Sequence, residues 1–142
     1  MEGRALTAYG PNRPLRHAFE ARHPSFAVPE FVALLRKRGV ALVVADTGGK
    51  WLEHDDVTAD FVYIRLHGPK KLYQSRYSDA ALERWAERIR LWSTGRETRE
   101  RCISRDPASG AAERDVYCYF DNTDKLHAPY NALSLRRKLM GV

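Results

Sequence analysis

The sequence feature that most constrains the fold is a strand-like segment, residues 60–69, that ends abruptly in polar side chains. Its first half is largely apolar, and Arg65, His67, Gly68 and Pro69 then follow in close succession. A strand that closes on this pattern places a cation and a titratable ring at its carboxyl end, which is where ligands bind in α/β folds. The segment therefore predicts the position of a site, although it does not define a reaction.

Other segments share this layout of an apolar body and a polar carboxyl end. Strands are predicted over residues 15–23, 40–45 and 115–120. The run over residues 40–45 is apolar without interruption, which is typical of a strand buried on both faces. The carboxyl ends of these three strands supply polar side chains, which are Glu20, Arg22, Asp46, Asp121 and Asn122.

Helices are predicted to follow three of the strands. The first begins near Pro29, because proline is favoured in the first helical turn. The second begins at Ser78, and the last follows Pro129. The second has an apolar stripe at helical spacing, formed by Leu82, Trp85, Ile89 and Trp92. Strands that alternate with helices predict a parallel sheet with right-handed crossovers.

The predicted fold class is α/β, as a partial (β/α) barrel of the TIM type with about four parallel strands and flanking helices. A complete barrel has eight such units in about 250 residues, whereas the chain has 142. The strands near Leu15 and Asp115 are expected at the edges of this half-barrel. Soluble proteins avoid exposed strand edges, so we expect either a homodimer that closes the barrel or a missing amino-terminal half.

The composition, 44% hydrophobic and 30% charged, is that of a globular protein, and residues 1–142 are expected to form one domain. Within it, residues 1–14 are expected to be a poorly ordered start and residues 96–114 an exposed insertion. No apolar run reaches the roughly 20 residues of a membrane span, and no signal peptide is evident, so a cytoplasmic protein without a membrane partner is expected. Cys102 and Cys118 lie apart, which disfavours a disulfide scaffold or a zinc site.

Several short motifs together resemble the DUF72 (YecE-like) family. They read FEARHPSF at residues 19–26, ADT at 45–47, YIRLHGP at 63–69, YFDN at 119–122 and APYNA at 128–132. The resemblance implies a barrel of the TIM type whose biochemical role is not established. It begins near residue 15 and corresponds to the carboxyl-terminal half of the family. Phe26 stands where the family usually has tryptophan.

The candidate site residues lie at or just after the carboxyl ends of the predicted strands. Glu20, Asp46 and His67 are the candidates for acid–base chemistry, and Arg22 and Arg65 for binding an anion. Tyr73 and Tyr77 could stack on a sugar or base or pack as a lid, and Asn122 could hydrogen-bond a ligand or the loop backbone. Glu20 with Arg22, and His67 alone, also fit purely structural roles. We expect no metal and no organic cofactor.

Three functions are compatible with these residues. The first is a barrel protein that binds an anionic ligand, phosphorylated or polyhydroxylated, with acid–base chemistry as an option. The second is a nucleic-acid-binding or phosphodiester-processing barrel, which the net charge of +6 favours. The third is a truncated, non-catalytic remnant. Fold analogy does not choose among them.

Overall fold

A computed structural model describes residues 10, 11, 13–69, 76–108, 113–122 and 127–141. The elements in chain order are β1 (Ala18–Phe19), a 3₁₀ turn (Pro24–Phe26), α1 (Pro29–Arg38), β2 (Ala41–Leu42), β3 (Val44–Asp46), β4 (Phe61–Leu66), α2 (Asp79–Ser93), β5 (Asp115–Phe120) and α3 (His127–Met140). Most of the predicted poorly ordered start lies outside the described residues.

The strands are parallel, and their spatial order follows the chain. β1 pairs with β2 in a two-stranded sheet, and β3 pairs with β4 and β4 with β5 in a three-stranded sheet. Only Val43 separates β2 from β3. In this register Val44, Ile64 and Cys118 lie side by side. The prediction of an α/β fold with outer strands β1 and β5 is therefore confirmed.

The sequence predicts one strand over residues 40–45, but Val43 interrupts it. At the break, the Leu42 N–H donates a 2.7 Å hydrogen bond to Thr58 Oγ1. The Thr58 hydroxyl in turn donates to the Val40 carbonyl, also at 2.7 Å. The Thr58 side chain thus gives a partner to backbone groups of Val40 and Leu42, which buried backbone groups need.

The first strand is shorter than the predicted segment of residues 15–23. Ala18 and Phe19 pair with β2, and the chain then enters the 3₁₀ turn at Pro24. The side chain of His23 caps this turn by accepting a hydrogen bond from the Ser25 N–H at 3.2 Å. Glu20 and Arg22 therefore lie just beyond the strand rather than within it.

Helices α1 and α2 begin where their capping signals indicate, whereas α3 begins at His127, two residues before Pro129, which the sequence predicts to precede it. Pro29 begins α1, and Gly39 ends it with a positive φ of 62°. Ser78 caps α2 by accepting a hydrogen bond from the Ala81 N–H at 3.2 Å. The predicted stripe of α2 is buried, which confirms Trp85 and Trp92 as core residues.

The described part of the long α2–β5 connection, residues 96–108, 113 and 114, combines exposed positions with others that pack against the protein. The carboxylate of Asp56 accepts hydrogen bonds from the backbone N–H groups of Ile103 at 2.7 Å and Ser104 at 2.9 Å. Arg101 forms an ion pair with Glu53 at 2.8 Å. The many charges of this segment are thus partly directed inward, onto the long connection between β3 and β4.

The three-stranded sheet of β3, β4 and β5 has one covered face and one open face. Val44, Ile64 and Leu66 are buried in the core beneath α2 and α3. The alternate side chains Tyr63 and Arg65 point the other way and are only partly buried. An inner strand of a barrel would be buried on both faces, whereas residues 61–66 keep partly exposed side chains on the open face. The open face is the one that carries the candidate site.

Candidate functional site

The centre of the candidate site is Arg65, which lies near the end of β4 between two carboxylates. Its Nη1 is 2.5 Å from Glu20 Oε2, and its Nε is 2.8 Å from Asp121 Oδ2. Glu20 follows β1 and Asp121 follows β5, so the three side chains connect the two outer strands across the open face. The carboxyl ends of the strands converge on one charged cluster, as their sequence pattern predicts.

His67 lies beneath this cluster and has no exposed surface. Its Nε2 is 3.0 Å from Glu20 Oε1, and its Nδ1 is 3.7 Å from Asp121 Oδ2. The indole of Trp51 packs edge-on against the imidazole, with 5.1 Å between ring centroids. His67 therefore contacts the carboxylates from the protein side, and Glu20 and Asp121 stand between it and solvent.

Arg22 is the most exposed cation of the cluster, with 52% of its side chain accessible. It is 3.3 Å from Glu20 Oε2, and its guanidinium lies over the Trp51 ring, 4.6 Å from the ring centroid. The cation–π contact positions the guanidinium without neutralising it. Arg22 thus presents positive charge to solvent at the edge of the site.

The charges of the cluster stabilise one another. Burial alone raises the pKa of Glu20, but hydrogen bonds from Arg22 and Arg65, with their charges, outweigh burial and hold that pKa below its usual value. Hydrogen bonds to Asp121 and Glu20 raise the pKa of Arg65 against the opposing effect of burial. Glu20 is therefore a carboxylate at neutral pH, suited to accept hydrogen bonds.

Asp46 is not brought into this cluster. It shares a strand face with Val44, which lies in the core beneath α2 and α3. Its carboxylate accepts the hydrogen bond of the Tyr77 hydroxyl, and it lines a separate concavity of about 330 Å³ on the helix side of the sheet. The His67 backbone N–H donates to the Asp46 carbonyl at 2.9 Å, but the Asp46 carboxylate points away from Glu20 and the charged cluster. Its predicted part in acid–base chemistry therefore has no support from the geometry.

Tyr77 is a packing residue in this structure. Its side chain is buried, with 1% of the residue exposed, and its ring packs edge-on against Phe120. The Gly68 N–H donates to its hydroxyl at 3.1 Å. The ring has no open face for a sugar or base, which corrects the ligand-stacking interpretation and favours the packing alternative. Tyr73 lies outside the described residues.

Asn122 is likewise buried, and it links the end of β5 to α3. Its Nδ2 donates to Asn131 Oδ1 at 2.9 Å, and the Tyr77 N–H donates to the same oxygen at 3.3 Å. The predicted alternative of a hydrogen bond to the protein itself fits this geometry better than contact with a ligand. Asn122 therefore supports the site from outside the charged cluster.

Asp121 and Trp51 contact the cluster but are absent from the candidate site residues of the sequence analysis, which named Asp121 only as a polar strand end. A signal for Asp121 exists, because it continues the alternation of Tyr117 and Tyr119 onto the open face of β5. Trp51 has no such signal, since it lies in an irregular connection. The Glu53 carboxylate anchors the loop that positions Trp51, by accepting hydrogen bonds from the backbone N–H groups of Thr47 and Gly49.

Aromatic side chains extend the site along the open face toward the amino ends of the strands. Tyr63 and Tyr119 stack with 5.0 Å between centroids, and Tyr119 is 48% exposed. Arg16 lies at the far end, 2.5 Å from Asp115 Oδ2. These residues line a concavity of about 480 Å³ that also includes Glu20 and Arg65. Across the described part of the chain, no group of three or more histidine, cysteine or carboxylate side chains converges as a metal site.

Comparisons with known proteins agree with this architecture. The family model described as protein of unknown function DUF72 matches residues 4–141. The crystal structure of a DUF72 family protein from Thermotoga maritima superposes with a TM-score of 0.70 at 24% identity, over 89% of this chain and 47% of that one. A DUF72 family protein from Enterococcus faecalis gives a TM-score of 0.64 at 19% identity, over 89% and 48%. No curated protein matches.

The chain spans about half the length of these two solved structures. Within the described ranges, no helix combines the length and apolarity needed to cross a membrane. The family match extends over nearly the whole sequence and agrees with the motifs at the strand ends. The chain belongs to the DUF72 family.

Proposed function

We propose that the carboxyl ends of the strands bind a polyhydroxylated compound that carries one acidic group, such as a sugar acid or a sugar phosphate. The observation that carries this proposal is the set of Glu20, Arg65 and Asp121, in which two carboxylates flank one guanidinium. All three side chains are partly exposed, at 13%, 31% and 26% respectively, and Glu20 and Arg65 line the concavity.

The carboxylates suit hydroxyl groups better than they suit a second anion. A carboxylate accepts hydrogen bonds from several donors, and neighbouring hydroxyls of a sugar can donate to both of its oxygens. An anion placed beside Arg65 would also lie beside Glu20 and Asp121, and their charges would repel it. We therefore assign Arg65 to holding the two carboxylates in position.

Arg22 is the group that best fits the acidic substituent of the ligand. It is half exposed, and its one ion pair among the described residues, to Glu20, is 3.3 Å long. Trp51 fixes the plane of its guanidinium, and a planar fork suits a carboxylate or phosphate. Of the two arginines expected from the sequence to bind an anion, Arg22 is therefore the one we propose.

Acid–base chemistry at this site would take place through Glu20. Its carboxylate is partly exposed at the site and ionised, so a bound hydroxyl can donate to it, while the lowered pKa makes it a weak base. His67 donates a hydrogen bond to the opposite oxygen of the same carboxylate at 3.0 Å. Because His67 is buried, it orients Glu20 and does not reach the ligand itself.

The exposed tyrosines give the proposed ligand an apolar surface. Tyr119 and its stacked neighbour Tyr63 lie beside Arg65 on the same face. The faces of aromatic rings pack well against the C–H groups of sugars, while their hydroxyls provide a polar edge. A ligand that combines hydroxyls, an acidic group and an apolar ring face matches every part of this surface.

Calorimetric titration with glucuronate, glucose 6-phosphate, glucose and inorganic phosphate tests the proposal. We expect the first two to bind more tightly than the last two. Arg22→Ala should weaken their binding about tenfold, because a charge-assisted contact contributes about 1.5 kcal/mol. Arg38→Ala, which removes an exposed arginine at the end of α1, is the matched control. Equal affinities for wild type and Arg22→Ala, or no binding of either acid, would refute the proposal.

A further inference from the structure

Both outer strands have an edge that is not paired with another strand among the described residues. β1 pairs with β2 alone, and β5 pairs with β4 alone. β5 is the longer of the two, with six residues, Asp115–Phe120. Unpaired edges expose rows of backbone donors and acceptors and are a template for pairing with another chain.

An apolar margin lies beside each of these edges. On α3, which packs against β5 and α2, Tyr130, Leu133 and Met140 are exposed by 67%, 49% and 64%. Their spacing of three and seven residues places them on one face of the helix. At the opposite edge, Leu15 and Phe19 are exposed by 63% and 40%. Exposed apolar margins that adjoin unpaired strand edges mark surfaces for association with protein.

The open face between the two margins has the composition of a barrel interior. Tyr117 and Tyr119 point outward from β5 onto this face and are 40% and 48% exposed. Tyr117 also packs edge-on against Phe61, with 5.9 Å between centroids. In a closed barrel the inward side chains are packed in layers. We therefore expect another protein segment to cover this face and to reach the unpaired edges of both β1 and β5.

We propose that a second copy of this chain is that cover, related to the first by a twofold axis that runs along the axis of the closed barrel. Under this operation β5 of each copy lies beside β1 of the other, and the strands stay parallel across both seams. The apolar stripe of α3 then packs on Leu15 and Phe19 of the other copy. Both contacts are identical and the rotation closes, so association stops at two copies.

The size of the occupant supports a second copy. The two solved DUF72 structures are about twice as long as the part that this chain matches, so a cover of about one chain length is needed. Two copies supply twice four strand positions, which is the eight of a closed (β/α) barrel. The chain itself carries both complementary margins, one along α3 and the other beside β1.

Closure would also complete the site at the strand ends. The exposed fractions of Arg65 and Tyr119, 31% and 48%, would fall as the other copy covers the open face. Exclusion of water strengthens the interactions among Glu20, Arg65 and Asp121. The inference goes beyond the proposed ligand and does not depend on it, because association is measured without any ligand.

The inference is tested by light scattering coupled to size-exclusion chromatography at about 1 to about 100 µM protein. This range detects dimers with micromolar or lower dissociation constants. We expect a constant mass of twice the 16.3 kDa of one chain at the upper concentrations. Leu133 lies at both contacts between the two copies. Leu133→Lys should therefore weaken association about 100-fold, or about tenfold for each contact. Leu133→Met keeps the apolar contact and should stay dimeric.

Because Leu133 is half exposed, the lysine variant should fold, and cooperative urea unfolding checks this. Met140→Lys changes the same stripe and repeats the test independently. A folded wild-type monomer at about 100 µM would overturn the inference, since closure predicts dimers in this range. Mass that keeps growing with concentration would also overturn it, because the contact would then not close. So would dimers that resist both lysine substitutions.

Discussion

Replacing Glu20 by glutamine tests whether the charged cluster at the strand ends is held together as the structure indicates. Glu20 contacts three partners, at 2.5 Å to Arg65, 3.0 Å to His67 and 3.3 Å to Arg22. Glutamine has nearly the same shape, so the substitution removes the charge with little change in packing. The expected result is a loss of stability that depends on pH.

The magnitude follows from what Arg65 retains. Loss of one partner from a fully buried ion pair costs about 3–5 kcal/mol when the other charge is left uncompensated. Here Arg65 keeps Asp121 at 2.8 Å and is 31% exposed, so water and the second carboxylate compensate most of its charge. A hydrogen bond to a charged group contributes about 1.5–3 kcal/mol, and glutamine can replace part of it. We expect Glu20→Gln to lower the free energy of unfolding by about 2 kcal/mol at pH 7.

The pH dependence has a definite sign. The folded-state pKa of Glu20 lies below the ordinary value of 4.5, so the folded state binds this proton more weakly than the unfolded state does. The stabilisation is then fully present above the unfolded pKa and is lost as the pH falls through the folded pKa. The difference between wild type and Glu20→Gln should be constant above about pH 5.5 and should shrink below about pH 4.5.

Urea unfolding followed by tryptophan fluorescence measures the effect, because Trp85 and Trp92 are buried. With an m value of about 2 kcal/mol/M, the midpoint should fall by about 1 M at pH 7. Glu83→Gln is the control, since Glu83 is 44% exposed in its ion pair with Lys138, and such surface pairs contribute about 0–1 kcal/mol. Equal losses for the two variants, or a Glu20→Gln difference unchanged from pH 7 to pH 3, would refute the account of the cluster.

Two further predictions concern residues outside the cluster. Asp55→Asn should lower the free energy of unfolding in urea by about 3 kcal/mol. The fully buried Asp55 carboxylate pairs with Arg88, which lies between Trp85 and Trp92. A loss below about 1 kcal/mol would contradict this prediction. Tyr77→Phe should cost about 1–2 kcal/mol, since it leaves the Gly68 N–H and the Asp46 carboxylate without the phenolic hydroxyl. Its affinity for glucuronate should stay within about twofold of wild type, a difference of about 0.4 kcal/mol. A larger change in affinity would show that Tyr77 contributes to ligand binding.

The sequence by itself determined the strand order and the edge of the sheet at which the polar side chains gather. Apolar segments that alternate with helices require a parallel sheet, and a parallel sheet brings the carboxyl ends of its strands to one edge. The alternation within β4 also decided that Arg65 and His67 share the face opposite Leu66, which is buried in the core. These features depend on the local sequence pattern and on the order of the elements along the chain, so the sequence alone predicts them.

The direction of Asp46 was decided only by the tertiary structure. Its strand is part of a continuous apolar run, and such a run has no alternation from which to tell the face of its last residue. In the folded chain, packing places Val44 in the core beneath α2 and α3, so Asp46 points to the same side and meets Tyr77. Register against β4, and not the sequence of the strand itself, sets this outcome.

Contacts between distant loops were also decided by the tertiary structure. Trp51 reaches His67 and Arg22 from an irregular connection whose path is set by Glu53 and Thr47. The charged residues of 96–108 resemble a solvated segment in sequence, yet Arg101 turns inward to Glu53 and Asp55. Charge and polarity in a loop say nothing about which partners the fold brings near, because those partners lie on other elements and their distances depend on how the helices and strands pack.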